Sequence, residues 1–174
     1  MIIHYPKDKH LLTKLKAGDI VSFSGVIYTA RDAAHMRIQK MLQNNEPLPI
    51  DFKDAFIYYA GPTPTKPGKV IGSIGPTTSS RMDGFTQMMK DLNVTATIGK
   101  GPRSDACTKF YMDNHILYFI TTGGCGALLS KAVTKAEEVA FLDLGPESIK
   151  RLEVKDFTMI CAIDYYNNDI FGGK

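Results

Sequence analysis

The chain has 174 residues, of which 44% are hydrophobic and 22% are charged, and its formal net charge at pH 7 is +3. This is an ordinary globular composition with enough length to bury one core, so we expect residues 1–174 to form a single domain. The positive charge is small and scattered, which excludes a basic stripe of the kind that binds nucleic acid.

The first predicted strand leads into a helix through a junction that carries an arginine. Residues 19–28 alternate polar and apolar side chains, as a half-buried strand does. Thr29 and Asp32 have the spacing of a capping box, and apolar residues at helical spacing predict a helix that runs to about Gln43. Arg31 therefore lies where the strand ends and the helix begins.

A second strand-to-helix junction lies in the middle of the chain. Residues 55–60 (AFIYYA) predict a strand, and residues 69–74 predict another because they are short and β-branched. Ser80 and Asp83 again have capping-box spacing and predict a helix start. The apolar residues of that helix are Phe85, Met88, Met89 and Leu92.

The segment between this strand and helix, residues 77–81, reads TTSSR and is the strongest candidate for an anion site. Free N–H groups and the positive dipole end of a helix N-terminus favour an anion, and hydroxyl and guanidinium groups add donors. A phosphate would fit as well as a carboxylate. No glycine-rich nucleotide motif follows a strand, so the sequence gives no reason to expect a nucleotide.

The pattern occurs a third time after residues 94–98 (VTATI), which predict a strand by β-branching. Lys100 and Arg103 lie at this junction, and Ser104 is placed to cap the next helix.

The rest of the chain predicts three strands and two short helical segments. The strands are residues 116–122, 140–144 and 157–163. A short helix is predicted over residues 127–133 and a helical turn around residues 148–152.

Alternating strands and helices predict an α/β layered domain in which functional loops collect at one edge of the sheet. Arg31, Arg81 and Lys100 would then converge with the hydroxyls of Thr77 and Thr78. Two guanidinium groups and an ammonium suit a small dianion such as a dicarboxylate. The alternative is that the three cations are solvated surface charges.

His35 and Asp32 lie on the first helix beside Arg31. His35 is an acid–base candidate by residue type. The alternative is a histidine on a helix face that is bonded to backbone. Asp32 is better explained as a helix cap than as an acid.

Targeting and metal-binding signals are missing from the sequence. The N-terminus carries charges where a signal peptide needs apolar residues, and no run reaches about 18 apolar residues, so we expect a cytoplasmic protein without a membrane partner. Cys107, Cys125 and Cys161 form no C-x-x-C pair. This favours buried structural thiols over a disulfide or a metal site.

Several strings together resemble one protein family along most of the chain. They are YTARDAAH, YYAGPTPTKPGKVIGSIGPTTSSRMD, IGKGPRS, TTGGCGALLSKA, FLDLGPESI and LEVKDF. They resemble the β subunit, or C-terminal domain, of the iron-sulfur hydro-lyases, namely class I fumarate hydratase and L(+)-tartrate dehydratase. GPTTSSRMD and TARDAAH are the most specific of these strings.

The resemblance implies a three-layer β/β/α swivelling-type domain that forms one wall of an active site. It implies a partner α subunit that holds a 4Fe-4S cluster on its own cysteines, in an α2β2 assembly, with the cluster iron acting as Lewis acid on the substrate. In the family, residues matching Arg31, Arg81 and Lys100 hold the substrate carboxylates. The residues matching Thr77 and His35 compete for the role of base.

The resemblance leaves several substrates open. The runs RMDGFTQMM and GKGPRSD are closer to the fumarases, so we expect interconversion of fumarate and L-malate. L(+)-Tartrate and mesaconate are the alternatives within the family, because each differs from this pair by a small substituent. A non-catalytic anion-binding regulatory module is the alternative from a different class.

Overall fold

A computed structural model describes residues 1–172 of the chain. Within these residues, seven strands belong to one sheet. They are β1 (Ile2–His4), β2 (Ile20–Thr29), β3 (Phe56–Tyr58), β4 (Ala96–Gly99), β5 (Leu117–Ile120), β6 (Val133–Ala140) and β7 (Ile149–Ile163).

Short helices connect the strands. The α-helices are α1 (Asp32–Gln43), α2 (Thr86–Asp91), α3 (Asp105–Asp113) and α4 (Gly126–Leu129). The 3₁₀ segments are Lys9–Lys14, Ser79–Phe85, Ser130–Ala132 and Leu142–Glu147. None of the helices in residues 1–172 is long and apolar enough to cross a membrane.

The sheet closes on itself in a barrel-like arrangement. Its strand order is β1-β2-β3-β4-β5-β7-β6, and β2 also pairs with β7. Strands β2, β3, β4 and β5 run parallel to one another, whereas β7 is antiparallel to both β2 and β5. The expected α/β class is therefore confirmed, and the closure is made by one long strand of 15 residues.

Two apolar cores lie on the two sides of the barrel wall, because successive side chains of a strand point to opposite faces. In β3, Phe56 and Tyr58 belong to the inner core, while Ile57 and the following Tyr59 belong to the outer core. Helices α1, α2 and α3 contribute their apolar faces to the outer core. The helices therefore cover the outside of the barrel.

Most predicted elements are confirmed, but three predicted strands or helical segments are wrong. Residues 69–74 form no strand; their backbone bonds instead to Thr63 of the preceding loop and to the first residue of α4, as in the Ile74 N–H to Gly126 O bond of 3.0 Å. Residues 140–144 were predicted as a strand and residues 148–152 as a helical turn, and the structure has the reverse order. The 3₁₀ segment occupies Leu142–Glu147 and is preceded by Phe141 in the left-handed region (φ 55°), while β7 begins at Ile149.

Both predicted capping boxes are also wrong. The Thr29 hydroxyl donates to Ser148 O and accepts from the Lys150 N–H, so it links β2 to β7 instead of capping α1. The Asp83 carboxylate accepts from Arg103 and from the Ser104 N–H. The predicted Ser104 cap is confirmed, because its side chain accepts from the Cys107 N–H. Spacing alone did not reveal these tertiary partners.

Candidate functional site

The candidate site lies at the edge of the sheet where the parallel strands β2, β3, β4 and β5 end. Carboxyl ends of parallel strands meet at one edge, where α/β domains bind ligands. Arg31 follows β2, and Lys100 follows β4 directly. Thr77 reaches the end of β3, because its N–H donates to Tyr59 O at 2.6 Å. The topology therefore brings three separate loops to one place.

Arg31 and Arg81 meet at a shared carboxylate. Arg81 Nε donates to Asp32 Oδ1 at 3.0 Å, and Arg31 Nε lies 3.8 Å from Asp32 Oδ2. Asp32 is in the first turn of α1, where a carboxylate is favoured by the helix dipole. The structure therefore brings these two arginines together, and the Asp32 carboxylate bonds to Arg81 instead of capping the helix.

Arg31 has two further neighbours. Its Nε lies 3.1 Å from Glu147 Oε1 on the 3₁₀ segment after β6. Its guanidinium also lies against Gly61, where an added Cβ atom would come within 3.3 Å of Nη1. The Arg31 side chain is therefore packed on two sides, with 25% of it exposed, whereas the Arg81 side chain is 52% exposed.

Lys100 and the threonine segment are joined by backbone pairing. Thr78 forms a parallel bridge with Lys100, and the Ser79 N–H donates to Lys100 O at 3.0 Å. Thr77 is half-buried and Thr78 is exposed. The hydroxyl-bearing segment and the lysine therefore form one unit at the sheet edge.

The Lys100 ammonium is not neutralised by the described part of the chain. No carboxylate of residues 1–172 lies within 4.0 Å of its Nζ. Its side chain extends along Gly123, where an added Cβ atom would lie 3.9 Å from Nζ. A partly buried cation without a counter-ion can bind an anion.

Ser79 fixes this unit to the barrel and was not predicted as important. It is fully buried, and its Oγ accepts from the Lys100 N–H at 3.1 Å and from Tyr118 OH at 2.8 Å. A Cβ atom at position 99 would collide with the Ser79 side chain, so glycine is required there by close approach. No sequence signal identifies such a contact.

Arg103 lies behind the site in a cage of three tyrosines. Its Nε donates to Asp83 at 2.6 Å. Its guanidinium carbon lies 5.5, 4.8 and 5.3 Å from the ring centres of Tyr59, Tyr111 and Tyr118, respectively. Its side chain is 0% exposed. Arg103 is therefore an internal cation that anchors the segment Ser79–Phe85, and not one of the edge cations.

His35 is fully buried behind Arg31. Its Nδ1 bonds to Arg31 O at 2.8 Å, and its ring packs against Tyr59 and Phe85 at centroid distances of 5.5 and 5.1 Å. Burial lowers the pKa of His35 to about 4. The backbone-bonded arrangement was the alternative expected from the sequence, and it gives His35 a clear structural role.

The three cysteines do not form a cluster site in the described chain. Cys161 lies in the inner core and Cys107 in the outer core, and burial raises their pKa values to about 12 and about 11. Cys125 is half-buried. Residues 1–172 contain no group of three or more His, Cys, Asp or Glu side chains that could hold a metal ion. These residues do not fit an iron-sulfur cluster, which is held by several Cys thiolates that converge on one place.

The candidate site lies outside the two larger cavities. These cavities, of about 570 and 370 Å³, adjoin the loop of residues 62–73. Neither is lined by Arg31, Thr77, Arg81 or Lys100.

Comparisons with known proteins agree on one family. A family model described as "Fumarase C-terminus" matches residues 3–173. The chain is 45% identical over 164 residues to a protein of Methanocaldococcus jannaschii named "Putative L(+)-tartrate dehydratase subunit beta". The aligned region covers 91% of this chain and 84% of that relative.

Two proteins of Escherichia coli (strain K12) are also similar. The L(+)-tartrate dehydratase subunit beta is 33% identical, covering 91% of this chain and 80% of the relative. The class I, aerobic fumarate hydratase is 37% identical over 153 residues, covering 87% of this chain. The aligned region is only 28% of that fumarate hydratase.

Proposed function

Because the chain belongs to the fumarase C-terminus family, we propose that it is the β subunit of a hydro-lyase that interconverts fumarate and L-malate. The family resemblance expected from the sequence is confirmed by the match over residues 3–173. The observation that carries the proposal is the sheet edge at which Arg31 and Arg81 both lie within 4.0 Å of the Asp32 carboxylate and at which the threonine segment pairs with Lys100.

The proposed chemistry explains why these groups are needed. Removal of a proton next to a carboxylate builds additional negative charge on that carboxylate, so much of the barrier is electrostatic. Fixed cations lower such a barrier because they are oriented before the reaction begins. In our proposal Arg31, Arg81 and Lys100 bind the two carboxylates, and Thr78 contributes a hydroxyl donor.

Thr77 is our candidate for the base. Its backbone is held by Tyr59 at the sheet edge, and its side chain is only half-buried. A threonine hydroxyl is a weak base, so nearby positive charge must favour its ionised form, and Arg81 is close in sequence. The burial of His35 favours Thr77 over His35 in this role, because a base must reach the substrate.

The remaining parts of the enzyme are proposed to belong to a partner. We expect an α subunit to carry the 4Fe-4S cluster, because the cysteines of this chain do not fit one. When bound there, the cluster would supply a Lewis acid for the leaving hydroxyl. The α2β2 assembly, the swivelling-type β/β/α fold, the single domain and the cytoplasmic location stay predictions.

L(+)-tartrate is the second candidate substrate. It is favoured by the 45% identity to a protein named as a putative L(+)-tartrate dehydratase β subunit, which this chain matches over 84% of its length. Mesaconate differs from fumarate by one methyl group and is a third possibility. The anion-binding regulatory module is the alternative outside enzymes.

The proposal is tested by anaerobic assembly of the full chain with its cluster-loaded α subunit. Fumarate, L(+)-tartrate and mesaconate are then assayed side by side, and we expect the largest kcat/KM for fumarate. A larger kcat/KM for tartrate would show that tartrate, not fumarate, is the substrate. If the cluster-loaded complex turned over none of the three acids, the hydro-lyase proposal would be contradicted. A colourless stable monomer from an anaerobic native extract would favour the regulatory module.

A further inference from the structure

Asp32 occupies an unusual position between two cations of the candidate site. One of its oxygens accepts from Arg81 Nε at 3.0 Å, and the other lies 3.8 Å from Arg31 Nε. The second oxygen is buried and accepts no hydrogen bond from residues 1–172. Asp32 therefore bonds to Arg81 and lies within ion-pair distance of Arg31, whose own buried Nε forms no hydrogen bond with residues 1–172.

The contacts with Asp32 use only one side of each guanidinium. In both arginines the nitrogen nearest Asp32 is Nε. The terminal Nη groups of Arg31 and Arg81 donate no hydrogen bond to residues 1–172. The edge formed by the two Nη groups can bind a carboxylate through two parallel hydrogen bonds. Each arginine therefore keeps one bidentate edge for a ligand.

We propose that Asp32 is a positioning residue that sets the orientation of the Arg81 Nη edge beside Arg31, so that one dicarboxylate bridges both arginines. This inference rests on the proposed function. Asp32 is suited to the task because it lies in the first turn of α1, which fixes its backbone. Its negative charge also offsets the repulsion between two nearby guanidinium groups.

The charge of Asp32 gives the inference a distinctive kinetic signature. A carboxylate beside the site repels a dianionic substrate, so its removal should not weaken ground-state binding. Orientation, in contrast, is felt most strongly in the transition state. A positioning role therefore predicts a loss in kcat with an unchanged or lower KM, whereas a purely structural role would move the free energy of unfolding.

The first experiment compares Asp32→Asn with wild type in the assembled, cluster-loaded complex. We expect kcat to fall at least about 10-fold, with no rise in KM. The matched control is Asp143→Asn. It removes the carboxylate that forms an ion pair with Arg37 of α1 at 2.7 Å. The control should keep the kcat and KM of wild type. Unchanged kcat in Asp32→Asn would overturn the inference.

A double-mutant cycle tests whether Asp32 acts through Arg81. If it does, adding Asp32→Asn to Arg81→Ala should change kcat by less than about 3-fold, because coupled residues are not additive. Full multiplication of the two losses would overturn the inference. If Asp32→Asn does not fold, Asp32→Glu decides instead, because it keeps the charge but moves it by one methylene; wild-type kcat in Asp32→Glu would overturn the inference.

A measurement without turnover separates this inference from the proposed function. In the full chain labelled with ¹⁵N-arginine, we expect an Arg81 Nε–Hε signal that exchanges slowly with water in wild type and Asp143→Asn. The signal should be lost in Asp32→Asn. If the wild-type complex is inactive but this pattern is found, the hydro-lyase proposal fails while the geometry at Asp32 stands. If wild type has no protected signal, the inference fails whatever the activity.

Discussion

Arg81 and Arg103 are close in sequence but lie in opposite environments. The Arg81 side chain is 52% exposed and is held only through Nε, by Asp32. The Arg103 side chain is 0% exposed, bonds to Asp83 and lies against three tyrosine rings. One guanidinium has donors left for a ligand, whereas the other has most of its donors used inside the protein.

The comparison shows that the role of an arginine depends on its surroundings and not on its residue type. A buried cation must be paired, so its removal leaves the partner carboxylate unpaired inside the structure. An exposed pair contributes little to folding because water screens it. Loss of Arg103 should therefore reduce stability, and loss of Arg81 should reduce activity while the fold remains.

The largest effect is expected at Thr77. Comparison of Thr77 with the buried His35 tests whether the base lies at the sheet edge or behind it. We predict that Thr77→Ala in the assembled complex lowers kcat by about 10²- to 10⁴-fold, the range for loss of a general base, and abolishes exchange of the substrate C3 hydrogen with solvent. His35→Asn, in contrast, should keep the exchange. Exchange that is lost in His35→Asn and kept in Thr77→Ala would assign the base to His35, and exchange kept in both would contradict both assignments.

Arg103 should give the largest effect on folding. Arg103→Met is predicted to lower the free energy of unfolding in urea by about 3–5 kcal/mol, because it leaves the Asp83 carboxylate without its cation. Arg37→Met is a matched control, because its pair with Asp143 is largely exposed, and it should lose about 1 kcal/mol or less. Equal losses in the two variants would contradict the distinction drawn between buried and exposed arginines.

The edge cations should show the opposite behaviour. Arg81→Ala and Lys100→Ala are each predicted to lower kcat/KM of the complex by about 10²- to 10³-fold, as expected for an oriented electrostatic group. Their urea unfolding curves should stay close to that of wild type. Lys66→Ala, which removes an exposed lysine of the loop before the site, is the control for lost positive charge. Near-normal turnover in Arg81→Ala or Lys100→Ala would remove that residue from the site.

The smallest effect is a pH dependence that comes from His35. Burial lowers its pKa from the ordinary 6.5 to about 4, so between these pH values the unfolded chain binds a proton that the folded chain does not. Stability should therefore fall as the pH drops from 6.5 to 4, by on the order of 3 kcal/mol in total. The free energy of unfolding in urea is measured at several pH values for wild type and for His35→Asn. The contribution of His35 is the difference between the two proteins in how steeply this free energy changes with pH. The slope should persist in His115→Asn, which changes an exposed histidine.

The sequence predicted the elements that follow a simple periodicity. Strand β2, helix α1 and the Ser104 cap follow from alternation, helical spacing and a capping residue. The convergence of Arg31 and Arg81 followed from the rule that parallel strands end at one edge. Family membership followed from the strings around residues 28–35 and 58–83.

The parts that the sequence did not predict depend on long-range contacts. Thr29 has capping-box spacing, but it bonds across to β7, which lies about 120 residues further along the chain. The contacts of the Ser79 hydroxyl and of the tyrosine cage likewise join separate helices and strands. Local spacing carries no information about such partners, so Arg103 was grouped with Lys100 instead of with the core.

The 15-residue strand β7 has a consequence for how the chain folds during synthesis. Within residues 1–172 it is the last strand to be made, yet it pairs with β2, the second. Until the ribosome has released residues 149–163, one edge of β2 has no neighbour and offers bare backbone groups to other nascent chains. Slow translation through this stretch should therefore promote aggregation, and a chaperone that covers β2 should prevent it.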